Sequence, residues 1–307
     1  MIKTIVIRLL LGIATLFLAV TVAFIVAHGS GNPAAELLGA SATPERVAQL
    51  QHELGLDRPL YVQYFDFIGG LLRGDLGTSL RYNQPNLELI MQRIPATFEL
   101  TAVALAIAVV VGIPLGTLAA VKESTWIDRV TSAVALFGQS VPVFWLGMML
   151  ILIFAVQLGW LPAGQRNGPL SVVLPAVALS TLPMAQIARL TRSSMAETLG
   201  EQFIVAGRAR GLSRASIILR HGLRNSSIPV LTIFGLQIGA LLSGAVTVEY
   251  VFAWPGLGTL ATQAIEGRDF TLAQAVVVVG VFVFVIVNLI IDVLYAVIDP
   301  RIRRTRA

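Results

Sequence analysis

The groups that could do chemistry are few and scattered. Histidine occurs three times, as His28, His52 and His221, too far apart to suggest a metal site, and cysteine does not occur. Without a thiol there is no disulfide or thiolate chemistry, and the redox compartment cannot be read. "HELGL" at 52–56 carries the first histidine of a zinc-hydrolase helix and lacks the second. The two lysines, Lys3 and Lys122, both stand outside any GxxxxGK[ST] phosphate loop. No catalytic, cofactor-binding or metal-binding residues are therefore expected. One stretch is dense in charge: "GRARGLSRASIILRHGLRNSSIP", residues 207–229, holds Arg208, Arg210, Arg214, Arg220, Arg224 and His221 with no Asp or Glu.

Guanidinium groups in such a run can fix membrane topology, touch anionic lipid or dock a partner. Order within the run separates these uses. Gly211 supplies a left-handed stop and Ser213 an N-cap for the next helix. Ala206, Gly207 and Ala209 lead up to the joint, so another backbone can come close. Arg210 and Arg214 are four apart, as are Arg220 and Arg224. Topology or lipid contact accounts for the charge alone. A docking element also accounts for the cap, the stop and the small residues. Met195–Ser227 reads as two short helices with a sharp joint.

The rest of the chain must position this segment. It is 56% hydrophobic and 13% charged, against about a quarter charged in ordinary soluble domains. Mean hydropathy is +0.80. That composition predicts an all-α polytopic membrane protein. The net charge of +5 is no nucleic-acid signal, because the basic residues flank apolar spans. Six stretches are long enough to cross: Leu9–Ala27, Ala102–Val121, Val130–Gln157, Leu170–Ala188, Ile228–Val248 and Thr271–Ile291. The first is too long for a signal-peptide core and lacks a small-residue cleavage site, so it reads as a retained span. Of the 22 Lys and Arg, fifteen fall on the side that holds both termini and residues 189–224. The positive-inside rule then makes both termini and the basic segment cytoplasmic.

The chain divides into three regions on this reading. Residues 1–28 are the cytoplasmic start and span 1, residues 29–98 an external segment, and residues 99–307 a five-helix core. That core holds the loop at about 191–227 and the basic tail "DPRIRRTRA". In the external segment Thr43 and Pro44 start a helix, Val47, Leu50 and Leu54 come next at helical spacing, and Gly55 stops it. Tyr61, Phe65, Ile68 and Leu72 then share one face, as in a helix on the membrane surface or capping the spans.

Small residues recur every fourth position in span 2 (Ala104, Ala108, Gly112, Gly116, Ala120) and in span 5 (Gly235, Gly239, Ser243, Thr247). Such stripes let helix backbones approach closely, inside one bundle or between subunits. Pro114, Pro142, Pro175 and Pro183 can kink spans. Gln186, Gln237 and Asn288 lie clearly inside spans, and none of them ionises. Glu99 and Glu249 mark the external ends of spans 2 and 5. They could gate the outer face or hold a cationic group of a substrate, or simply sit solvated or paired there. An ion-coupled carrier, the main rival function, needs ionisable groups near the midplane and often an inverted repeat, and neither is found. A membrane scaffold without transport is the second rival.

"AGRARGLS", with Pro229 in "SSIPVL" downstream, resembles the cytoplasmic EAA loop of ABC importer permeases, with Val205-Ala206-Gly207 where Glu-Ala-Ala would stand. "GLDRPLYVQYFDFIGGLLRGDLGTSL" (55–80), "RIPATFELT" (93–101), "SVPVFWLGMMLILIFAVQLGWLPAG" (140–164), "VEYVFAWPGLGTL" (248–260) and "DVLYAVIDPRIR" (292–303) are similar to the first permease of the dipeptide, oligopeptide and nickel branch. "GSGNPAA" (29–35) departs from the usual Pro-Gly-Asp-Pro. The resemblance implies a permease forming half of a path for small peptides, or alternatively for nickel or another small solute. It implies a second permease, two ATPase subunits carrying the ATP and Mg, an external substrate-binding protein and a plasma-membrane location. It also implies that Ala206, Gly207, Arg208, Ala209, Arg210 and Gly211, with Arg214, form the ATPase-coupling element. Solute choice is then expected to lie largely in the binding protein.

Overall fold

The computed structural model describes residues 2–29, 43–53 and 55–298. The basic tail, the "GSGNPAA" departure beyond Gly29 and Leu54 lie outside the described residues. Eleven α-helices succeed one another along the described residues: α1 (Ile2–Gly29), α2 (Pro44–Glu53), α3 (Leu60–Leu72), α4 (Asn86–Val121), α5 (Trp126–Ser140), α6 (Val143–Leu150), α7 (Val173–Gly200), α8 (Gln202–Ala209), α9 (Leu223–Val251), α10 (Leu257–Glu266) and α11 (Phe270–Ile298). There is no strand among them, only an isolated bridge between Thr78 and Pro85.

Helices cover all six apolar stretches. Among the described residues, α1, α4, α7 and α11 are individually long and apolar enough to cross a bilayer. The third stretch departs from a plain span. It breaks between α5 and α6, which meet at 105°, and it ends in a π-helical turn, Ile151–Gln157. Pro142 is the cause: it bars the preceding Val141 from helical geometry, leaving it extended at φ −81, ψ 126. Pro114 and Pro183, by contrast, sit inside uninterrupted helices. Helix α4 also begins at Asn86, well before the Glu99 that opens the apolar run. Asn86 is fully buried, and its side-chain amide donates to the Leu76 carbonyl at 2.8 Å.

The chain divides into two compact units. One takes residues 96–254 and, of the described residues, 290–298 as well. Its core gathers Ala96, Leu100, Ala104, Leu174, Ala178, Leu241, Ala245, Val248, Phe252 and Trp254. Helices α4 and α7 touch at glycines: a methyl on Gly112 would stand 2.9 Å from the Met184 carbonyl oxygen, and one on Gly116 would strike the Ala188 carbonyl. Small residues thus bring two backbones together where lipid gives no hydrophobic drive between helices.

The other unit takes residues 2–95 and 255–289. Ile90, Leu260, Ala264, Leu272, Ala275 and Val276 form its core. Asp269, 2% exposed, fixes the 76–85 loop there. Its carboxylate accepts the Ser79 hydroxyl at 2.5 Å, the Arg81 amide at 3.2 Å and the Leu272 amide at 3.1 Å.

Candidate functional site: the exposed helix and the ends of the bundle

The basic segment forms a compact, surface-facing device. Helix α8 ends as its glycine requires: Arg210 N–H donates to Ala206 O at 3.1 Å, Leu212 N–H donates to Gly207 O at 3.1 Å, and Gly211 takes φ +79. A side chain other than glycine adopts that conformation at a cost of about 1–2 kcal/mol. Ser213 then caps the next turn, its hydroxyl accepting the Ser216 amide at 3.2 Å. The helix it starts is not short. A π-helical turn, Ser216–Gly222, runs directly into α9, so the segment is one short helix joined to the start of a long one. Met195 likewise belongs to the last turns of α7.

Burial divides α8 into two sides. Ile204 is 1% exposed and anchors the helix inward, while Gly207 is half-buried against Leu212. Phe203, Val205, Ala206, Arg208, Ala209, Arg210, Gly211 and Arg214 are exposed. No carboxylate pairs with Arg208, Arg210 or Arg214 among the described residues. The joint is held from below: Met195 is fully buried, a methyl on Gly222 would stand 2.5 Å from its Cε, and Ser226 Oγ donates to its Sδ at 3.6 Å. A cleft of about 350 Å³ opens beside the device, lined by Val121, Leu199, Arg208, Leu212, Arg214 and Ile217.

At the same end of the bundle Arg192 grips Asp128 in a bidentate pair along one guanidinium edge, Nε to Oδ1 at 2.5 Å and Nη2 to Oδ2 at 2.8 Å. Asp128, just outside the Val130–Gln157 stretch, also accepts the Ser124 amide at 3.1 Å. The Arg192 guanidinium beside it, with the Ser124 amide, overcomes burial and holds its carboxyl down at about 2. The pair stays ionised at every physiological pH. It ties α7 to the turn entering α5. Nearer the middle, Gln237 of α9 donates to Gln186 of α7. Asn288 donates within its own helix, to the Phe284 carbonyl at 2.9 Å.

The two expected carboxylates lie toward the opposite end of α4, and the structure gives them different settings. Glu99 meets Arg166 at 2.6 Å, an ion pair whose side chains are 35% and 45% exposed. Glu249 is fully buried and accepts the Thr97 hydroxyl at 2.6 Å. Around it the segments "LGWLPAG" and "VFAWPGLG" are knitted into one corner. Gln165 N–H donates to Phe252 O at 2.9 Å, and Trp254, fully buried, donates its indole N–H to Ala96 O at 2.8 Å. Gly164 packs so closely on the Phe252 carbonyl that no Cβ fits.

Of the stripe residues, Gly112, Gly116 and Gly239 are buried and Ser243 is exposed, while the side of α9 at Gly235 lies outside the described residues. The buried row of α9 runs through Gln237, Leu241, Ala245 and Val248. Sequence reasoning missed Asp128 and Arg192. For Asp128 the helix-start pattern Thr125-x-x-Asp128 marked the position without naming its partner, and for Arg192 there was no signal. Thr97, Trp254 and Asp269 carried no local signal. Among the described residues no cluster of His, Cys, Asp and Glu could hold a metal ion.

Comparison with known proteins decides the family to which this geometry belongs. The model for "binding-protein-dependent transport system inner membrane component" matches residues 112–304, and that for the N-terminal part of such components matches residues 1–101. The chain belongs to this family. It is 41% identical to the dipeptide transport system permease protein DppB of Alkalihalophilus pseudofirmus, over 96% of this chain and 98% of the relative. It is also 41% identical to the glutathione transport system permease protein GsiC of Escherichia coli O6:H1, over 97% of this chain and 98% of the relative. The fold matches a solved inward-facing MetNI methionine ABC transporter with TM-score 0.59 at 20% identity, over 69% of this chain and 96% of that one. The chain is an integral membrane permease subunit of an ABC importer, a transport component and not an enzyme. That membership sets aside the ion-coupled carrier and the transport-free scaffold.

Proposed function

We propose that this permease forms half of a path for small peptides, and that residues 206–211, with Arg214, receive the work of separate ATPase subunits. Peptide transport is supported by the relatives, whose named solutes, dipeptide and glutathione, are both small peptides. The implied assembly holds a second permease, two ATPase subunits carrying ATP and Mg, and a substrate-binding protein on the outer face. Both termini and α8 are cytoplasmic in this reading, in the plasma membrane, supported by the distribution of Lys and Arg.

One observation carries the coupling role: α8 and the turn after it leave Ala206, Arg208, Ala209, Arg210 and Gly211 exposed, while Ile204 roots the helix in the bundle. A face of that kind can take a partner's backbone closely and transmit its displacement. Only Glu201 separates α8 from α7. Helix α7 is locked to α4 at Gly112 and Gly116, to the entry of α5 through Arg192, and to α9 through Gln186. Pushing α8 therefore moves several spans together. The partner drives a change only if it binds outward-open and inward-open states with different affinity, which closure of the ATPase pair around nucleotide supplies.

At the far end, Glu99 is the better gate residue of the two carboxylates. Its partly solvated pair with Arg166 can break at low cost, whereas Glu249 supports the buried corner. Exposed Ser243 leaves part of the α9 stripe available to the second permease. The test is Gly211→Val in the reconstituted assembly. The variant should insert normally and continue to hydrolyse ATP while peptide uptake is lost. Wild-type uptake would refute the assignment.

A further inference from the structure

Helix α3 presents three distinct sides, and its distance from the end of α1 fixes where each side lies. One side packs on α1. The Tyr64 and Thr21 hydroxyls are 2.6 Å apart, Gln63 Oε1 lies 2.9 Å from His28 Nε2, and the Phe24 ring meets both Tyr64 and Phe67. A second side carries Tyr61 at 67%, Phe65 at 68% and Leu72 at 84% exposure, with Ile68 between them. A third side carries Asp66, paired with Arg58 at 3.3 Å, and Arg73. At about 100° per residue the apolar exposed side and the charged side stand roughly 120° apart around the helix.

Depth is set by α1. Its apolar span is Val6–Gly29, and the contacts with α3 fall between Thr21 and His28. Those residues cover only the last ~10 Å of the span, at 1.5 Å per residue. That is the zone where acyl chains give way to headgroups in a hydrocarbon core ~30 Å thick. At that depth α1 itself leaves Ile25 and Val26 exposed at 61% and 59%. A large apolar surface at this level meets lipid before it meets water, and Tyr is a residue type that favours such a boundary.

We propose that α3 lies in the headgroup boundary of the bilayer at the end of α1. Its Tyr61, Phe65, Ile68 and Leu72 side faces acyl chains and its Asp66 side faces water. The occupant of the exposed apolar stripe is membrane lipid. A segment clamped in this way holds the neighbouring 76–85 loop at a fixed level over the membrane, independently of the coupling element. The absence of cysteine makes the test direct. Phe65→Cys, Leu72→Cys and Asp66→Cys are each spin-labelled in the full-length chain, purified with its co-purifying subunits. The sample is placed in nanodiscs of phosphatidylethanolamine and phosphatidylglycerol. Oxygen should collide with labels at 65 and 72 several-fold more often than water-soluble nickel chelate does, and the order should reverse at 66. Greater nickel accessibility at 65 and 72 would put the stripe in water and overturn the proposal. Protection from both reagents would mean that a protein covers it and would overturn it equally. Because Leu72 ends the helix, its variant reports even if Phe65→Cys fails to assemble.

Discussion

The α4–α7 contact makes a prediction in which one substitution has opposite signs at two sites. Replacing Gly116 by Ala adds a Cβ that collides with the Ala188 carbonyl and stands 2.7 Å from Thr191 Cβ. Carbon atoms pack best at about 3.5–4.0 Å, so the helices must part by roughly 1 Å. Forced overpacking of this kind costs about 1–3 kcal/mol. Ala returns about 0.5–1 kcal/mol over Gly through backbone entropy, leaving a net loss of about 1–2 kcal/mol. At Gly280, in α11, an added methyl meets nothing within 4 Å. There Gly280→Ala keeps only the entropic gain of about 0.5–1 kcal/mol. Thermal unfolding in nanodiscs, monitored by circular dichroism, should move down by a few degrees for Gly116→Ala and stay level or rise for Gly280→Ala. If Gly116→Ala is as stable as wild type, the close approach of α4 and α7 is not a stabilising contact and the reasoning fails.

The polar contacts at both ends of the bundle are open to the same assay. Arg192→Met leaves the 8% exposed Asp128 carboxylate without its cation and should cost about 1–3 kcal/mol, reduced from the fully buried case by the exposure of Arg192. Adding Asp128→Asn to that variant should recover part of the loss. The Asp128 carboxyl is depressed to about 2 from 3.8, so its contribution is full above about pH 4 and fades as pH falls toward 2. An acid titration of unfolding midpoints should show that loss in wild type and not in Asp128→Asn. Trp254→Phe removes the indole donor from the buried Ala96 carbonyl and should cost about 1–3 kcal/mol, read as a lower midpoint. Arg166→Gln breaks the exposed pair with Glu99 and should change stability by less than about 1 kcal/mol. If Glu99 gates, the same variant raises ATP hydrolysis in the absence of binding protein.

Legibility in the sequence tracked the range of the interaction. The turn at Gly211 and the cap at Ser213 are local, set by residue types within a few positions, and both could be read directly. The apolar runs could be read because bilayer thickness imposes their length. The break at Pro142 was legible as a kink and not as a 105° turn, because proline fixes only its own neighbourhood. The start of α4 was hidden because Glu88, Gln92, Arg93 and Pro95 interrupt its apolar pattern. The contacts that shape each unit join positions far apart in the chain: Asp128 with Arg192, Thr97 with Glu249 and Arg166 with Glu99 in one, and Ser79 with Asp269 in the other. Nothing in residue type or spacing announces such partners, since each acid could equally have been solvated at an interface.

The most direct measurement of the central claim uses the same freedom from cysteine. Ala206→Cys and Arg210→Cys, on the exposed side of α8, are treated with a short bifunctional cross-linker in membranes containing the assembled importer. If α8 takes the thrust of the ATPases, both positions join to an ATPase subunit, and the yield changes when nucleotide is trapped. If instead a membrane-impermeant thiol reagent labels these positions from outside intact cells, α8 is on the wrong side of the membrane to be driven by ATP.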